Sequence, residues 1–317
     1  MTHVAVIGAG LQGATVALEL ARRGADVTVF EAAPEAVSRA SRWNEGKLHL
    51  GYIFAKDAIN RTARLLIDGA TRFAPVLERH IPASSIEGNL SAGFHYLVMP
   101  DSLLDHAALG HHYAAVTSLA NEALGDPARR YPGGRQTLAV RPLTASENAR
   151  YGNGATGYLT DEIAVDAVAI AEALCGAMDA CPRVDLVTNA RVQAVERAAD
   201  ALFLDVNGSR EGPFDHVVNA SWEGRLALDA TLGIHPSRGH VWRLKRAVQI
   251  RRPDAMTRLP TVTMVIGPYG DIVPYPDGRT YLSWYPVGCI SRSSERAVPG
   301  AWEAPHSEAE TARLTRD

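Results

Sequence analysis

Lysine is nearly missing from this chain. Only Lys47, Lys56 and Lys245 stand among its 32 basic residues, so a lysine in a special environment is conspicuous against a background of arginine. Cysteine is as scarce. Cys175, Cys181 and Cys289 are odd in number and lack CxxC or zinc-ligand spacing, which speaks against a disulfide framework and a structural metal site. They read as free thiols. HxH and HExxH spacings are missing too, and the adjacent side chains of His111 and His112 diverge, so the two read as a solvated loop pair and no metal is expected. No uninterrupted apolar run reaches the roughly 18 residues of a membrane span. The first strand begins at His3, which leaves no room for a secretory signal, so the expected location is the cytoplasm. The net charge of −3 gives no polyelectrolyte footprint, and nucleic acid is not an expected partner.

What is present is a globular composition, 46% hydrophobic and 21% charged, in 317 residues, enough for two domains. The most informative stretch is VAVIGAGLQGATVALELARRGADVTVFE, residues 4–31. Its periodicity predicts a short apolar strand over Val4 to Ile7, a glycine turn, an amphipathic helix from about Leu11 to Arg23, and a second strand from Asp26 to Phe30. In such a βαβ unit Gly8 permits the tight turn, Gly10 lets the backbone approach a pyrophosphate, and Gly13 lets the helix pack on the strand. The helix N-terminus, with Leu11 and Gln12, offers free N–H groups and a positive dipole end to phosphates. Glu31, 23 residues after Gly8 and followed by Ala32, suits the hydroxyls of an adenosine ribose and would repel a 2′-phosphate, which disfavours NADP.

The rest of the chain alternates between strong and broken periodicity. Residues 58–80 read as a helix with Ile59, Ala63, Leu66, Ala70, Phe73 and Leu77 on one stripe. Residues 82–150 look like an insertion, with a strand over 95–99 and a helix over 107–124. A helix is expected over 160–180, capped by Thr160 with Asp161 and Glu162 in its first turn. A strand over 184–188, a hairpin, and a buried strand over 214–221 follow. The runs 238–250, 261–276 and 280–288 read as strands, the last two joined at Asp277-Gly278. The fold class is therefore α/β: a Rossmann-like domain of parallel sheet, helices and a β-hairpin (1–80 and 155–232), with an inserted mixed-sheet substrate domain (81–154 and 233–300) and a C-terminal segment (301–317).

Four features in order make the sequence similar to the D-amino-acid-oxidase-like family of FAD-dependent oxidoreductases, which includes glycine oxidase and sarcosine oxidase: GAGLQG with Glu31, the segment Ala40-Ser41-x-x-Asn44-x-Gly46, TDEIAVD, and VVNAS at 217–221. The resemblance implies FAD as cofactor. It places Ser41, Arg42, Asn44 and Gly46 along the flavin, and Asn219, Ala220 and Ser221, with Val192, by the adenosine-diphosphate half. The GADG-like sequence of related FAD hydroxylases is missing, which favours oxidation over ring hydroxylation.

If GKLHLG, residues 46–51, is extended, Lys47 and His49 share one face. A fixed cation there would stabilise negative charge developing on a reduced flavin or on dioxygen, and Lys47, then His49, are the candidates. Substrate selection is expected from the inserted sheet, with Arg238 and His240 to bind a carboxylate and Tyr275, Tyr281 and Trp284 to exclude water. The expected activity is oxidation of a C–N bond of a small amine or amino acid, with hydride transfer to flavin N5 and dioxygen or another acceptor taking the electrons. A 2-hydroxy acid or alcohol donor, an NAD-dependent dehydrogenase and a non-catalytic nucleotide-binding protein stay open as alternatives. Relatives continue beyond the last substrate-domain strand with a further strand and a glycine-rich loop. Residues after Tyr285 show neither, and the expectation is weak retention of FAD.

Overall fold

The computed structural model describes residues 1–152, 154–253 and 259–316. In chain order the elements begin with β1 (His3–Ile7), α1 (Leu11–Arg22), β2 (Asp26–Phe30), α2 (Arg61–Leu77), α3 (Ser84–Glu87), β3 (His95–Val98) and α4 (His106–Leu124). Next come β4 (Val140–Pro142), α5 (Ala145–Asn148), β5 (Thr156–Thr160), α6 (Ala167–Asp179), β6 (Val184–Val187), β7 (Val192–Ala198), β8 (Ala201–Val206), β9 (Ser209–Phe214), β10 (His216–Asn219) and α7 (Arg225–Thr231). The remainder is β11 (Trp242–Lys245), β12 (Val248–Arg251), β13 (Val262–Val265), β14 (Gly270–Pro274), β15 (Arg279–Trp284), α8 (Tyr285–Gly288), β16 (Cys289–Ser293) and α9 (Glu308–Arg316). Among the described residues no helix is long and apolar enough to cross a membrane.

The chain divides into two compact units. The first comprises Met1–Trp43, Ala167–Leu244 and Ile290–Ser307. Its parallel sheet has the order β10-β1-β2-β6. Val4 to Ile7 are all buried, as a strand flanked on both sides must be, and α1 presents Gly13, Ala14, Ala17, Leu18 and Ala21 inward. These mostly small residues let the helix lie close to the sheet. A second core joins the sheet to the antiparallel β7-β8-β9 layer through Phe30, Val195, Leu204, Phe214 and Leu228. Each such side chain contributes about 1.5–3 kcal/mol on burial.

The second unit comprises Asn44–Asp166, Lys245–Cys289 and the segment from Glu308. Its seven-stranded sheet runs β12-β15-β14-β13-β3-β5-β4, with β13 and β3 parallel and the other pairs antiparallel. The Asp277-Gly278 turn links β14 to β15, with Gly278 at a φ of +88°. Tyr52, Tyr96 and Tyr113 are fully buried, with ring centroids 5.3–5.7 Å apart, and form an aromatic core.

Several local expectations are corrected. Thr160 ends β5 and does not cap a helix; α6 starts at Ala167. Asp161 and Glu162 are buried, accepting backbone N–H bonds from Ala139 (2.7 Å) and Leu50 (2.6 Å) respectively, so tertiary partners hold the acids that imitate a first helical turn. The stripe of α2 turns by a residue. Ala63, Ile67, Ala70, Ala74 and Leu77 are buried, and Ile59 lies outside the helix, 75% exposed.

Of the 214–221 strand only Phe214, the last residue of β9, is buried; β10 forms an edge of its sheet and is half-buried at best. The run 238–250 holds two strands, β11 and β12, and 261–276 holds β13 and β14. His111 and His112 lie within α4, not in a loop, and His112 Nε2 is 3.2 Å from the Gly51 carbonyl. The unit boundaries also differ from those read in the sequence. Residues 44–80 and 155–166 group with the mixed sheet, and 233–244 and 290–300 with the parallel one. The 44–80 stretch is drawn there by α2 packing on α4 and by Val165 N–H bonding to the Gly46 carbonyl at 2.9 Å. The chain beyond Tyr285 does contain a strand, β16, which pairs with β11.

Candidate functional site

In the first unit the glycine turn is built by contact as well as conformation. Gly8 has a φ of +93°, and a Cβ on Gly13 would fall 1.9 Å from the Gly8 carbonyl oxygen. No side chain larger than hydrogen fits there, so α1 is drawn onto the end of β1. Gly10 is the N-cap of α1 and makes no side-chain cap bond. The Leu11 N–H donates to Ser41 Oγ at 3.0 Å, which brings the 40–44 segment onto the helix start beside Gln12. Glu31 ends the strand with both carboxylate oxygens held: Oε2 accepts from Ala9 N (2.7 Å) and Oε1 from Ala33 N (2.8 Å), on either side of Ala32.

Across the turn, Ala220 closes on Gly8, whose added Cβ would meet the Ala220 carbonyl at 2.8 Å. Asn219 is spent internally: its Nδ2 donates to Asp229 Oδ1 at 2.8 Å, and its Oδ1 accepts from Ser221 Oγ at 2.6 Å. Val192 opens β7 and is half-buried. Arg42 pairs with Glu172 on α6 at 3.3 Å. These features fit a dinucleotide. Glycine stands where backbone must approach a pyrophosphate, a helix N-terminus follows the turn, and a carboxylate is immobilised at the strand end with acceptor capacity left for ribose hydroxyls.

In the second unit the 44–50 segment is equally constrained. Asn44 Oδ1 accepts from Gly46 N at 2.7 Å. Gly46 has a φ of +62°, and a Cβ there would lie 1.8 Å from the Val165 carbonyl oxygen. Leu48 N donates to the Ile163 carbonyl and Lys47 forms an isolated antiparallel bridge with Ala164, so residues 47–48 lie against 163–164.

Lys47 is not solvated. Its side chain is 1% exposed; Nζ donates to Asp271 Oδ1 at 2.8 Å and to Thr263 Oγ1, and stands 4.1 Å from the Phe94 ring centroid. Burial acts to raise the Asp271 pKa, but the Lys47 charge and the hydrogen bonds from Lys47 and Thr263 override it and hold the carboxyl below its ordinary range. His49 is half-buried, with Nδ1 3.8 Å from Glu162 Oε1; burial pushes its pKa down, and Glu162 opposes this in part.

The expected substrate residues are divided between the two units. Arg238 and His240 precede β11 in the first unit and lie off the mixed sheet; Arg238 is exposed, and His240 Nε2 lies 3.0 Å from the Glu295 carbonyl. Tyr275 and Tyr281 are buried within the second unit at 2% and 3% exposure, and Trp284 is 37% exposed. Sequence reading missed Asp271, Thr263, Tyr96 and Glu162. The one available signal was Asp271 itself, a carboxylate inside the apolar run YGDIVPY.

Residues 3–314 match the family of FAD-dependent oxidoreductases abbreviated DAO. The chain belongs to this family. The family is one of FAD-dependent oxidoreductases, and the βαβ unit of dinucleotide-binding pattern stands at the start of the matched residues. Glycine oxidase from Geobacillus kaustophilus shares the fold at a TM-score of 0.70, with 20% identity over 99% of this chain and 76% of that one. Iminodiacetate oxidase from Chelativorans sp. BNC1 does so at a TM-score of 0.67, with 17% identity over 98% of this chain and 76% of its own. The FAD-dependent monooxygenase FPY4 of Fusarium mangiferae is 24% identical over 273 residues, 85% of this chain. The chain spans 60% of that relative's length. Among the described residues no group of His, Cys, Asp or Glu could hold a metal ion, and Cys175, Cys181 and Cys289 are free thiols.

Proposed function

We propose that this oxidoreductase oxidises a C–N bond of a small amine or amino acid. The observation that carries the reading is the 44–50 segment: following the nucleotide-binding pattern in the chain, it sets a buried ammonium, Lys47, and a neutral imidazole, His49, on a backbone hydrogen-bonded to 163–165. The names of the two oxidases of shared fold, acting on glycine and iminodiacetate, support an amine donor.

FAD, when bound, supplies the hydride-accepting chemistry. Gly8, Gly10, Leu11, Gln12, Gly13, Glu31 and Ala32 would hold its adenosine-diphosphate half together with Val192, Asn219, Ala220 and Ser221. Ser41, Arg42, Asn44 and Gly46 would lie along the flavin. Lys47 serves as the fixed cation for developing negative charge, and its pairing with Asp271 holds the ammonium in one place without a reorganisation cost at the moment of reaction. His49, neutral near pH 7, serves as a hydrogen-bond acceptor for the donor's amine. Tyr275, Tyr281 and Trp284 exclude water within the second unit. Dioxygen or another small acceptor takes the electrons, and the cytoplasm is the proposed location.

The test is optical. The purified, FAD-loaded chain should absorb near about 370 and 450 nm, as oxidised flavins do. Under anaerobic conditions, glycine, N-methylated amino acids and iminodiacetate should bleach it, whereas lactate and glycerol 3-phosphate should not. Bleaching by hydroxy acids alone overturns the amine reading. Bleaching by NADH or NADPH alone favours instead the monooxygenase chemistry in the name of the FPY4 relative.

A further inference from the structure

Glu162 has no exposed surface, and it reaches three parts of the second unit at once. Its Oε2 accepts from Leu50 N at 2.6 Å, its Oε1 accepts from Tyr96 Oη, and Oε1 also lies 3.8 Å from His49 Nδ1. His49 Nδ1 is itself buried and has no hydrogen-bond partner. A buried imidazole nitrogen facing a carboxylate has two states. A lone pair on Nδ1 would point at negative charge, whereas an N–H on Nδ1 is attracted to it. Since Leu50 is the residue after His49, the carboxylate fixes the backbone beside the ring as well as the ring's electrostatic surroundings.

We propose that Glu162 is the positioning residue for His49, holding the imidazole as the tautomer with hydrogen on Nδ1 and thereby keeping the Nε2 lone pair free to accept a hydrogen bond from the substrate amine. The inference deepens the amine-oxidation reading and rests on it for the identity of the substrate; the tautomer itself is independent of that reading. The charged groups acting on His49 are Glu162, which favours the imidazolium, Lys47 and Lys245, which oppose it, and Asp271, which favours it. Glu162 acts most strongly of these, and burial outweighs it, so the ring is neutral at pH 7 and its tautomer carries the effect. At 3.8 Å the two atoms are beyond hydrogen-bond range, and the same Oε1 accepts from the Tyr96 hydroxyl, which competes for it. Removal of the Tyr96 hydroxyl should therefore tighten the Glu162–His49 approach.

The experiment is 15N–1H correlation NMR of histidine side chains in the FAD-loaded chain, with His49 assigned from the signal lost in His49→Gln. In the parent, His49 should carry its proton on Nδ1. Glu162→Gln should shift the tautomer ratio toward Nε2–H by about tenfold, the equivalent of one pKa unit, and lower the His49 pKa. Tyr96→Phe should do the opposite, raising the His49 pKa. The Tyr96→Phe arm decides the matter if Glu162→Gln fails to fold. A parent His49 protonated on Nε2, or a tautomer ratio and pKa that neither substitution moves, overturns the proposal. An enzyme that oxidises no amine yet shows these shifts would defeat only the substrate reading.

Discussion

Lys47 and Asp271, 224 positions apart in the chain, meet as a buried ion pair of 2.8 Å, with the lysine side chain 1% exposed. The pair sits among Thr263, Phe94 and Tyr96, where the ammonium has almost no access to water as an alternative partner. The rarest basic residue of the chain is thus held by a specific counter-charge, and removing either partner leaves the other uncompensated in the core.

Asp271→Asn or Lys47→Met alone should each destabilise the protein by about 3–5 kcal/mol, whereas the double substitution should recover much of the loss. Urea unfolding of the four proteins closes the cycle. Additive effects would show that the pair contributes nothing beyond its separate parts.

Lys47→Met should also slow reduction or reoxidation of the flavin by about 10²-fold at saturating FAD, because it removes the fixed cation while keeping the volume. Stopped-flow measurement of both half-reactions checks this. Half-reaction rates equal to the parent's would assign Lys47 a purely structural role.

Stability should fall with pH in two windows. His49, His95 and His112 all have pKa values lowered chiefly by burial, so the native state binds these protons less well than the unfolded chain does. Their contribution is complete above about pH 6.5, the ordinary histidine value, and is lost as pH falls toward the folded values. The Asp271 contribution is complete above about pH 4 and is lost as pH falls through its depressed folded pKa. Urea midpoints measured from pH 8 to pH 3 should show both declines, with Asp271→Asn flattening only the lower one.

Glu31→Ala should weaken FAD retention by about 1–3 kcal/mol, the scale of hydrogen bonds to a charged group, with turnover intact once FAD is saturating. Because the carboxylate also binds Ala9 N and Ala33 N, the same change should lower the apo-protein's stability. FAD titration by fluorescence quenching and apo-protein unfolding separate the two effects. Lost turnover at saturating FAD would contradict the ribose role.

Gly46→Ala should prevent folding or cost several kcal/mol, because the new methyl would strike the Val165 carbonyl at 1.8 Å in a left-handed conformation. Gly24→Ala, also at positive φ but with nothing within 4 Å, should cost only about 1–2 kcal/mol. Thermal unfolding of the two variants side by side gives the comparison.

The sequence by itself determined the βαβ unit with its three glycines and terminal Glu31, and the family. These are short-range features: the backbone freedom of glycine, the periods of strand and helix, and an acid at a strand end all act within about 30 residues. Only the tertiary structure decided what Thr160, Asp161 and Glu162 do. Locally they imitate a helix start, yet Glu162 bonds Leu50 across 112 positions and Tyr96 across 66. The same holds for Lys47, whose counter-charge on β14 is invisible to any local pattern, and for Arg238 and His240, which belong to a different unit from Tyr275, Tyr281 and Trp284. A buried charge must find its partner wherever the fold brings one, and the cost of leaving it unpaired outweighs a helix cap worth about 1 kcal/mol.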